Sequence, residues 1–378
     1  MENKKGRRGF LKAAGIVAGA SAVAGTAAFS SSDKPSTDKQ DTNPVKRIIP
    51  LGFQWETQDP FLFCVHHEDS YPKGTTDQGP EKKELAGRNL GSDFTVKDGW
   101  RMYHGSTVPG FPNHPHRGFE TITVVRTGRV DHTDSLGASG RYGDGDVQWM
   151  TAGKGVQHAE MFPLVNQEES NPLELFQIWI NLPAKDKFVE PHFKMLWADA
   201  IPIYEEDLNG KKIKAEIVAG TLGEKTAPTP PPNSWATPKE HEVAVWNIEL
   251  DAEAEWTLPK TKHGVNRSVY FFKGDTLEIE NETLKSYYAA EVETTKDLKL
   301  KAGKEKAYLL ILQGKPINEP VAQHGPFVMN TQEEVRQAFS DYRKTQFGGW
   351  PWENTGPVHD LNRGRFAEHA DGTLEEKS

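Results

Sequence analysis

The sequence predicts an all-β protein with one helix near its end, and three observations carry this prediction. Residues 119–125 alternate in the manner of a half-buried strand. Thr127-Gly128 and Gly143-Asp144-Gly145-Asp146 then supply the residues that hairpin turns need. Apolar stretches of strand length recur through the second half of the chain, and a helix-capping motif follows them.

The composition limits the possible functions. The chain has 378 residues, which leaves room for two domains of ordinary size. Its formal net charge of -9 argues against nucleic-acid binding, since that function requires a basic surface. The single cysteine, Cys64, has no partner for an internal disulfide, so we expect a buried free thiol. No apolar run approaches the ~20 residues that a membrane-spanning helix requires.

Residues 1–30 have the features of a twin-arginine export signal. The pair Arg7-Arg8 precedes Phe-Leu-Lys and a mildly apolar stretch rich in Ala and Gly. A Sec signal or a plain basic start is the alternative. Ala22-Val-Ala24 is a candidate cleavage site, and an uncleaved signal would act as a membrane anchor. We expect export to the periplasm or another extracytoplasmic space, with residues 31–44 as a disordered spacer.

The first domain is expected over residues 45–187. Its strands are predicted at Ile48–Leu51, at Asp59–Val65 and at residues 176–182. A long polar insert, residues 66–109, interrupts this domain before its next strand.

The insert contains two adjacent histidines, His66 and His67. Adjacent residues point to opposite sides of a strand, so this pair is poorly arranged for binding one metal ion. A solvated loop is therefore preferred over a second metal site. Because the insert ends just before the next histidine pair, we expect it to border a pocket mouth and to shape substrate choice.

A metal site is predicted from two short motifs that follow the insert. His114 and His116 are two residues apart, as are His158 and Glu160. Residues two apart in a strand point to the same face. If the two strands are neighbours in a small barrel, three imidazoles and one carboxylate converge on one point. This set extends the two-histidine, one-carboxylate pattern of non-haem iron and leaves coordination positions open.

Three residues are candidates for the surroundings of the metal or for the pocket wall, namely Glu120, Gln148 and Trp149. Glu120 lies an even number of residues after His116, hence on the same strand face, where it could accept a hydrogen bond from a ligating imidazole. A solvated glutamate is the alternative. Gln148 and Trp149 alternate faces, so one of them could line the pocket.

Three other polar residues are expected to lie outside the site. Arg117 could pair with an acid in the barrel mouth or remain solvated, and a structural role is preferred. His132 and Asp134 follow the turn at Gly128 and are expected to be exposed.

The second domain is expected over residues 188–347. Its strands are predicted at Ala215–Val218, Val243–Leu250, Val269–Phe272 and Ala307–Leu312. It lacks both histidine motifs, so we expect no metal in it and a packing role. Thr331 and Glu334 form a capping box before an amphipathic helix. Residues 348–378 are expected to be an irregular, partly mobile tail.

At these residues the chain closely resembles the pirin family, from about Arg47 to Phe347. The longest matching blocks are Phe111-Pro-Asn-His-Pro-His-Arg-Gly-Phe-Glu-Thr121, Gly145-Asp-Val-Gln-Trp-Met-Thr-Ala-Gly-Lys-Gly155 and Gln323-His-Gly-Pro-Phe-Val-Met-Asn-Thr331. Pirins are bicupins, built from two tandem jelly-roll β-barrels, and the first barrel holds iron through three histidines and one glutamate. The resemblance implies this fold here and implies the ligands His114, His116, His158 and Glu160. Shorter family members lack the insert and go almost directly to Phe111.

The resemblance also implies an activity. Several pirins resemble quercetin 2,3-dioxygenases, which open flavonols with release of carbon monoxide. We therefore expect a metal-dependent dioxygenase that acts on a flavonol-like aromatic enol, with dioxygen as co-substrate and Glu160 as both ligand and general base. The expected cofactor is one divalent transition metal, Fe(II), although the same ligands accept nickel, manganese, copper or zinc.

The alternative is a non-catalytic function. Other pirins resemble regulatory partners, which would make this chain an extracytoplasmic metal-binding or redox-sensing module that acts through protein contacts. Cupins also host isomerases and hydrolases, so a different reaction on the same scaffold stays open. The resemblance implies a monomer.

Overall fold

A computed structural model describes residues 43–377 of the chain. The export signal predicted over residues 1–30, and all but the last two residues of the predicted spacer, lie outside the described residues. Among residues 43–377, no helix is long and apolar enough to cross a membrane.

The described part of the chain consists mainly of antiparallel strands, as predicted. The first half contains β1 (Val45–Pro50), β2 (Gln54–Trp55), β3 (Phe61–Tyr71), β4 (Gly110–His116), β5 (Phe119–Thr127), β6 (Arg129–Asp134), β7 (Ser139–Gly143), β8 (Val147–Thr151), β9 (Val156–Met161), β10 (Asn171–Asn181) and β11 (His192–Leu196). The second half contains β12 (Ile203–Leu208), β13 (Lys211–Ala219), β14 (Thr221–Leu222), β15 (Lys225–Thr226), β16 (Ala244–Leu250), β17 (Glu255–Leu258), β18 (Asn266–Lys273), β19 (Thr276–Ile279), β20 (Glu282–Lys285), β21 (Tyr288–Val292), β22 (Leu298–Ala302), β23 (Ala307–Gly314), β24 (Ala322–His324) and β25 (Phe327–Met329). They are followed by the helix α1 (Gln332–Thr345) and by β26 (Arg365–Glu368) and β27 (Leu374–Lys377). Short 3-10 segments lie at Lys82–Leu85, Ala184–Asp186, Lys239–His241 and Gln346–Gly348.

These strands form two β-barrels in tandem, each made of two facing sheets. The first barrel has the sheet orders β11-β8-β5-β10-β3-β2 and β27-β26-β7-β6-β9-β4. The second has the orders β1-β21-β18-β23-β16-β13-β12 and β17-β22-β19-β20. Side chains alternate as a half-buried sheet requires: in β22, Leu298, Leu300 and Ala302 are buried and the two lysines between them are exposed. The prediction of an all-β bicupin with a C-terminal helix is confirmed.

The two barrels share an apolar core where the β5-containing sheet of the first faces the seven-stranded sheet of the second. Ile122, Trp149 and Ile178 of the first barrel belong to the same buried cluster as Val245 and Leu310 of the second. Cys64 is also fully buried in this cluster as a free thiol, as predicted. Because apolar burial is the main favourable term in association, this core fixes the barrels against each other.

Both ends of the described chain cross to the other barrel, which corrects two predictions. Residues 45–50 were assigned to the first domain, but β1 pairs with β21 of the second barrel. Residues 348–378 were expected to be an irregular tail, but β26 pairs with β7 of the first barrel and with β27. The local sequence pattern does not predict these long-range pairings, because the residues of a short strand do not specify which distant strand it will pair with.

The helix α1 follows the prediction closely. The Thr331 hydroxyl oxygen accepts a hydrogen bond from the Glu334 backbone N–H at 3.2 Å, and the Glu334 carboxylate accepts one from the Thr331 backbone N–H at 2.8 Å. The helix ends at Thr345, three residues before the glycine pair that was expected to stop it. Arg117 donates to Asp341 of this helix at 2.7 Å, so its role is structural, as preferred from the sequence.

The beginning of the insert is not a solvated loop, which corrects another prediction. Strand β3 continues to Tyr71, and both His66 and His67 are buried within it. His66 contacts Tyr287 and Glu174 at 3.1 Å each. The strand extends this far because β10 pairs with it over its whole length.

Candidate metal centre

Two adjacent strands of the first barrel, β4 and β9, bring the predicted ligands together. In the pairing of β4 with β9, His114 lies directly opposite His158 and His116 lies opposite Val156. A bulge between Phe111 and His114 shifts the register at the other end of this pair. The predicted convergence of the two motifs therefore arises from neighbouring antiparallel strands.

The three imidazoles form one compact group. One ring nitrogen from each of His114, His116 and His158 lies within 4.8 Å of the other two. The ring centroids are 4.7 Å apart for His114 and His116, 4.4 Å for His114 and His158, and 4.8 Å for His116 and His158. His116 and His158 are buried and His114 is partly exposed, so the group can be approached from the side of His114.

Burial keeps these imidazoles in the neutral form that a metal ion requires. It lowers the pKa of His114 to about 4 and holds the pKa values of His116 and His158 well below the usual range. Nδ1 of His114 lies 3.0 Å from the Pro112 carbonyl oxygen, to which it can donate. That contact leaves Nε2 of His114 with a free lone pair, as in many metal-binding histidines.

Glu160 lies beside the histidine group, next to His158. Its Oε2 is 3.7 Å from Nε2 of His158 and accepts a hydrogen bond from the Gln177 side chain at 2.7 Å. Its Oε1 lies 2.9 Å from the Thr123 hydroxyl. Burial raises the pKa of the Glu160 carboxyl. Three of the four predicted ligands thus form one tight group, and the fourth is held alongside by two polar neighbours.

The chemistry of these residues fits a transition metal. Nδ1 of His116 and both ring nitrogens of His158 are buried without a hydrogen-bond partner. A buried polar atom left unpaired costs about 1–3 kcal/mol, so unpaired nitrogens on two neighbouring imidazoles require an explanation. Imidazole nitrogens with free lone pairs next to a carboxylate are a suitable ligand set for iron, nickel, copper or zinc.

The two other candidates from strand β8 lie on opposite faces, as alternation requires. Trp149 belongs to the core shared by the two barrels. Gln148 therefore faces the interior of the first barrel, where it is fully buried and neither its amide nitrogen nor its oxygen has a partner. Of the two, Gln148 is the residue that lines the interior.

Glu120 is also on the other face, which corrects the prediction that it shares a face with His116. Strand β4 ends at His116, and Gly118 adopts a positive φ of 86° before β5 begins in a different sheet. Alternation cannot be counted across such a turn. Glu120 is fully buried toward the second barrel, where it accepts hydrogen bonds from Thr151 and Ser234 at 2.6 Å each. Burial raises its pKa to about 7.

His132 and Asp134 were expected to be exposed, and that prediction is wrong. Both are fully buried, because β6 lies between β7 and β9 in the interior of its sheet. In the register with β9, His132 is opposite Glu160 and Asp134 is opposite His158. The His132 ring stacks on Phe193 at 4.9 Å. His132 and Asp134 on β6 therefore lie directly beside the predicted ligands Glu160 and His158 on β9.

The sequence interpretation also missed Thr123 and Gln177, the two residues that contact Glu160. Thr123 shares the interior-facing side of β5 with Thr121 and Val125, while Ile122 and Val124 face the second barrel. The two threonines on one face of this central strand, Thr121 and Thr123, were the available signal, because such positions are otherwise apolar.

The insert lies against the partly exposed side of the site, as predicted. The His104 ring is 5.8 Å from the Phe111 ring, which is 6.4 Å from the His114 ring. Beneath them, the buried Tyr103 ring packs on Phe111 at 5.0 Å.

Buried polar contacts hold the insert in place. Arg101 makes two hydrogen bonds to Asp69, at 2.9 and 3.0 Å, and Tyr103 donates to the same carboxylate at 2.6 Å. His67 Nδ1 lies 2.7 Å from the Tyr103 hydroxyl oxygen. Tyr103 has a positive φ of 55°, which costs about 1–3 kcal/mol for a residue other than glycine. The insert is therefore a rigid part of the first barrel.

The segment after α1 covers another side of the site. Gln157, which precedes His158 on β9, donates from its side chain to the carbonyl oxygens of Gln346 and Gly349 at 2.7 and 3.0 Å. The Asn113 backbone N–H donates to the Thr355 carbonyl at 2.6 Å. This segment thus protects the edge of β4 and leaves the side of the insert for access.

Comparison with known proteins is consistent with this architecture. Residues 44–180 match the family model for pirin, and residues 245–348 match the model for the pirin C-terminal cupin domain. A Pseudomonas aeruginosa protein with a provisional quercetin 2,3-dioxygenase name is 36% identical over 239 residues, which cover 63% of this chain and 79% of that protein. Pirin-1 from Arabidopsis thaliana is 36% identical over 258 residues, which cover 64% of this chain and 80% of that protein.

A solved structure shows the same arrangement of barrels. The crystal structure of quercetin 2,3-dioxygenase from Acinetobacter baumannii superposes with a TM-score of 0.62 at 25% sequence identity, covering 81% of this chain and 98% of that one. With both barrels matched by family models and with relatives above 30% identity along most of their length, this chain belongs to the pirin family.

Proposed function

We propose that this protein is a metal-dependent dioxygenase of the pirin type that opens a flavonol-like aromatic enol. The observation that carries the proposal is the group of three neutral, buried imidazoles whose ring nitrogens lie within 4.8 Å of one another beside Glu160. Such a ligand set occupies only part of a metal ion's coordination sphere and leaves room for a substrate.

We propose His114, His116, His158 and Glu160 as the ligands of one divalent transition metal, Fe(II). A bound metal would supply Lewis acidity toward an enol oxygen of the substrate. The same ligands accept nickel, manganese, copper and zinc, so the metal that the purified protein carries has to be measured by elemental analysis.

Glu160 is proposed as the general base. A flavonol must lose the proton of its enol hydroxyl before the ring can react with dioxygen, and the Glu160 carboxylate would accept that proton. Gln177 and Thr123 each donate a hydrogen bond to one of the two carboxylate oxygens and so hold the carboxylate in place. A positioned base of this kind contributes about 10²–10⁴-fold to a rate.

The test is oxygen uptake by the iron-loaded protein with quercetin. Wild type should consume oxygen, and Glu160→Gln should lose at least a hundred-fold of that rate. Glu120→Gln is the matched control, because Glu120 is an equally buried glutamate of the same barrel whose bonds go to Thr151 and Ser234. Uptake that persists in Glu160→Gln would refute the role of this residue. No uptake by wild type with metal bound would favour the redox-sensing module that acts through protein contacts.

We also propose export by the twin-arginine route and a monomeric state. The support for export is the Arg7-Arg8 pair with its following apolar stretch. Replacing both arginines by lysine should keep the protein in the cytoplasm, as fractionation would show.

Light scattering of the purified protein tests the proposed monomeric state directly.

A further inference from the structure

A row of aromatic rings leads across the surface to the partly exposed histidine of the site. We call the rings of Phe53, Phe94, His104 and Phe111 the aromatic ledge. Phe53 and Phe94 are 6.3 Å apart, Phe94 and His104 are 4.9 Å apart, and His104 and Phe111 are 5.8 Å apart, each pair in an edge-to-face arrangement. The row ends 6.4 Å from the His114 ring.

The outer rings of the ledge are exposed although they are apolar. Phe53 is 48% exposed and Phe94 is 38% exposed. Exposed aromatic rings that form a continuous row, rather than scattered single residues, mark a binding surface. Phe94 and His104 belong to the insert, so the ledge exists because of this segment.

Buried polar contacts hold the segment that carries the ledge. The Arg101–Asp69 pair and the Tyr103 hydroxyl anchor the strand end beneath it, and Arg88 further ties the insert by donating to the Trp100 carbonyl at 3.0 Å and to the Lys97 carbonyl at 2.7 Å. A preorganised surface loses little conformational freedom on binding, which favours affinity.

The chemistry of the ledge selects a planar aromatic ligand. Rings attract one another in offset or edge-to-face contacts, so a flat ring system that stacks on one ring of the row can also meet the edge of the next. The nearby Arg101 guanidinium is already paired with Asp69. The ledge therefore offers aromatic surface rather than an unpaired charge, and a small anion would gain little there.

We propose that the aromatic ledge is the substrate-selectivity site of this protein and that it binds the ring system of a planar aromatic enol while the enol group reaches the side of His114. The inference rests on the proposed function for the identity of the substrate. Phe94 is the specificity-determining residue in this arrangement, since it contacts both Phe53 and His104 and is itself exposed.

The test measures binding separately from turnover. Quercetin is titrated into the metal-loaded protein without oxygen, and affinity is read from the quenching of tryptophan fluorescence. Phe94→Ala should weaken quercetin binding about ten-fold, because an aromatic contact and its buried area are lost. Phe94→Tyr should retain the wild-type affinity. Val96→Ala is the matched control in the same insert, because Val96 is 56% exposed and lies outside the row of rings.

A second probe distinguishes the ledge from the metal group. Acetylacetone is an enol without an aromatic ring, so its affinity should be equal in wild type and Phe94→Ala. In turnover with quercetin, Phe94→Ala should raise KM and leave kcat unchanged. Metal content should be the same in all variants.

The outcomes separate this inference from the proposed function. Equal quercetin affinity in wild type and Phe94→Ala refutes the ledge, whether or not oxygen is consumed. Phe94-dependent binding without oxygen uptake supports the ledge and counts against the dioxygenase. A change in oligomeric mass of Phe94→Ala with unchanged quercetin affinity would assign the rings to a protein contact and overturn the inference.

Discussion

Replacing His158 by alanine should remove metal binding while leaving the fold intact. His158 is fully buried, but neither of its ring nitrogens has a hydrogen-bond partner, so its removal breaks no hydrogen bond. The lost ring contacts cost stability, whereas two unpaired buried nitrogens disappear with the ring, which offsets part of that cost. We expect a net change of about 1 kcal/mol in the free energy of unfolding, or ~2–4 °C in Tm for a domain of this size.

The effect of a chelator on Tm tests the loss of metal binding more directly than the stability of the variant does. A ligand present at 100 times its Kd stabilises the native state by about 2.7 kcal/mol, which corresponds to ~5–10 °C in Tm here. Chelator should therefore lower the Tm of the metal-loaded wild type by that amount and leave the Tm of His158→Ala almost unchanged. Thermal unfolding with and without chelator, together with elemental analysis, measures both effects.

An exposed histidine provides the control for this experiment. His263 lies in the turn before β18 and is exposed, so His263→Ala should show the same response to chelator as wild type. The reasoning fails if His158→Ala keeps a full equivalent of metal. It also fails if this variant loses the native circular dichroism spectrum, because the histidine group would then be a structural requirement of the barrel.

Two further predictions concern buried carboxylates away from the metal ligands. The pKa of Glu120 is raised by burial to about 7 from an ordinary 4.5, so the folded state holds this proton longer than the unfolded state does. The free energy of unfolding of the wild type should therefore fall by about 3 kcal/mol as pH rises from below 4.5 to above 7, relative to that of Glu120→Gln. Denaturant titrations of both proteins across this pH range measure the change, and an equal pH dependence of the two would refute the prediction. For the insert, Asp69→Asn removes one partner of the buried Arg101 and should cost about 3–5 kcal/mol in the same assay. The exposed Asp77→Asn should be neutral, and equal stabilities of the two variants would contradict an anchoring role for Asp69.

Local patterns predicted the strands and the histidine group because both depend on alternation within one strand. His114 and His116, and likewise His158 and Glu160, are two residues apart in single strands, so their shared faces follow from the sequence. The relation between the two motifs then required only that β4 and β9 be neighbours.

The same reasoning failed where the chain turns or where partners are distant. Alternation was counted across Gly118, whose positive φ reorients the chain between two sheets, and Glu120 was placed on the wrong face as a result. His132 was expected at the surface because it follows the turn at Gly128, but the neighbouring strands of its sheet bury it. Neighbouring strands determine whether a polar residue is buried, and the local sequence around that residue does not show which strands will be its neighbours.

The crossed ends of the chain have a consequence for the order in which the protein can form. The strand β1 pairs with β21, which lies more than 200 residues later in the chain, and the sheet of the first barrel that carries the histidine group lacks β26 and β27 until residues 365–377 have been synthesised. The first barrel therefore stays incomplete until after the strands of the second barrel have been made, and neither barrel can be cut out at a boundary near residue 187 without losing a strand.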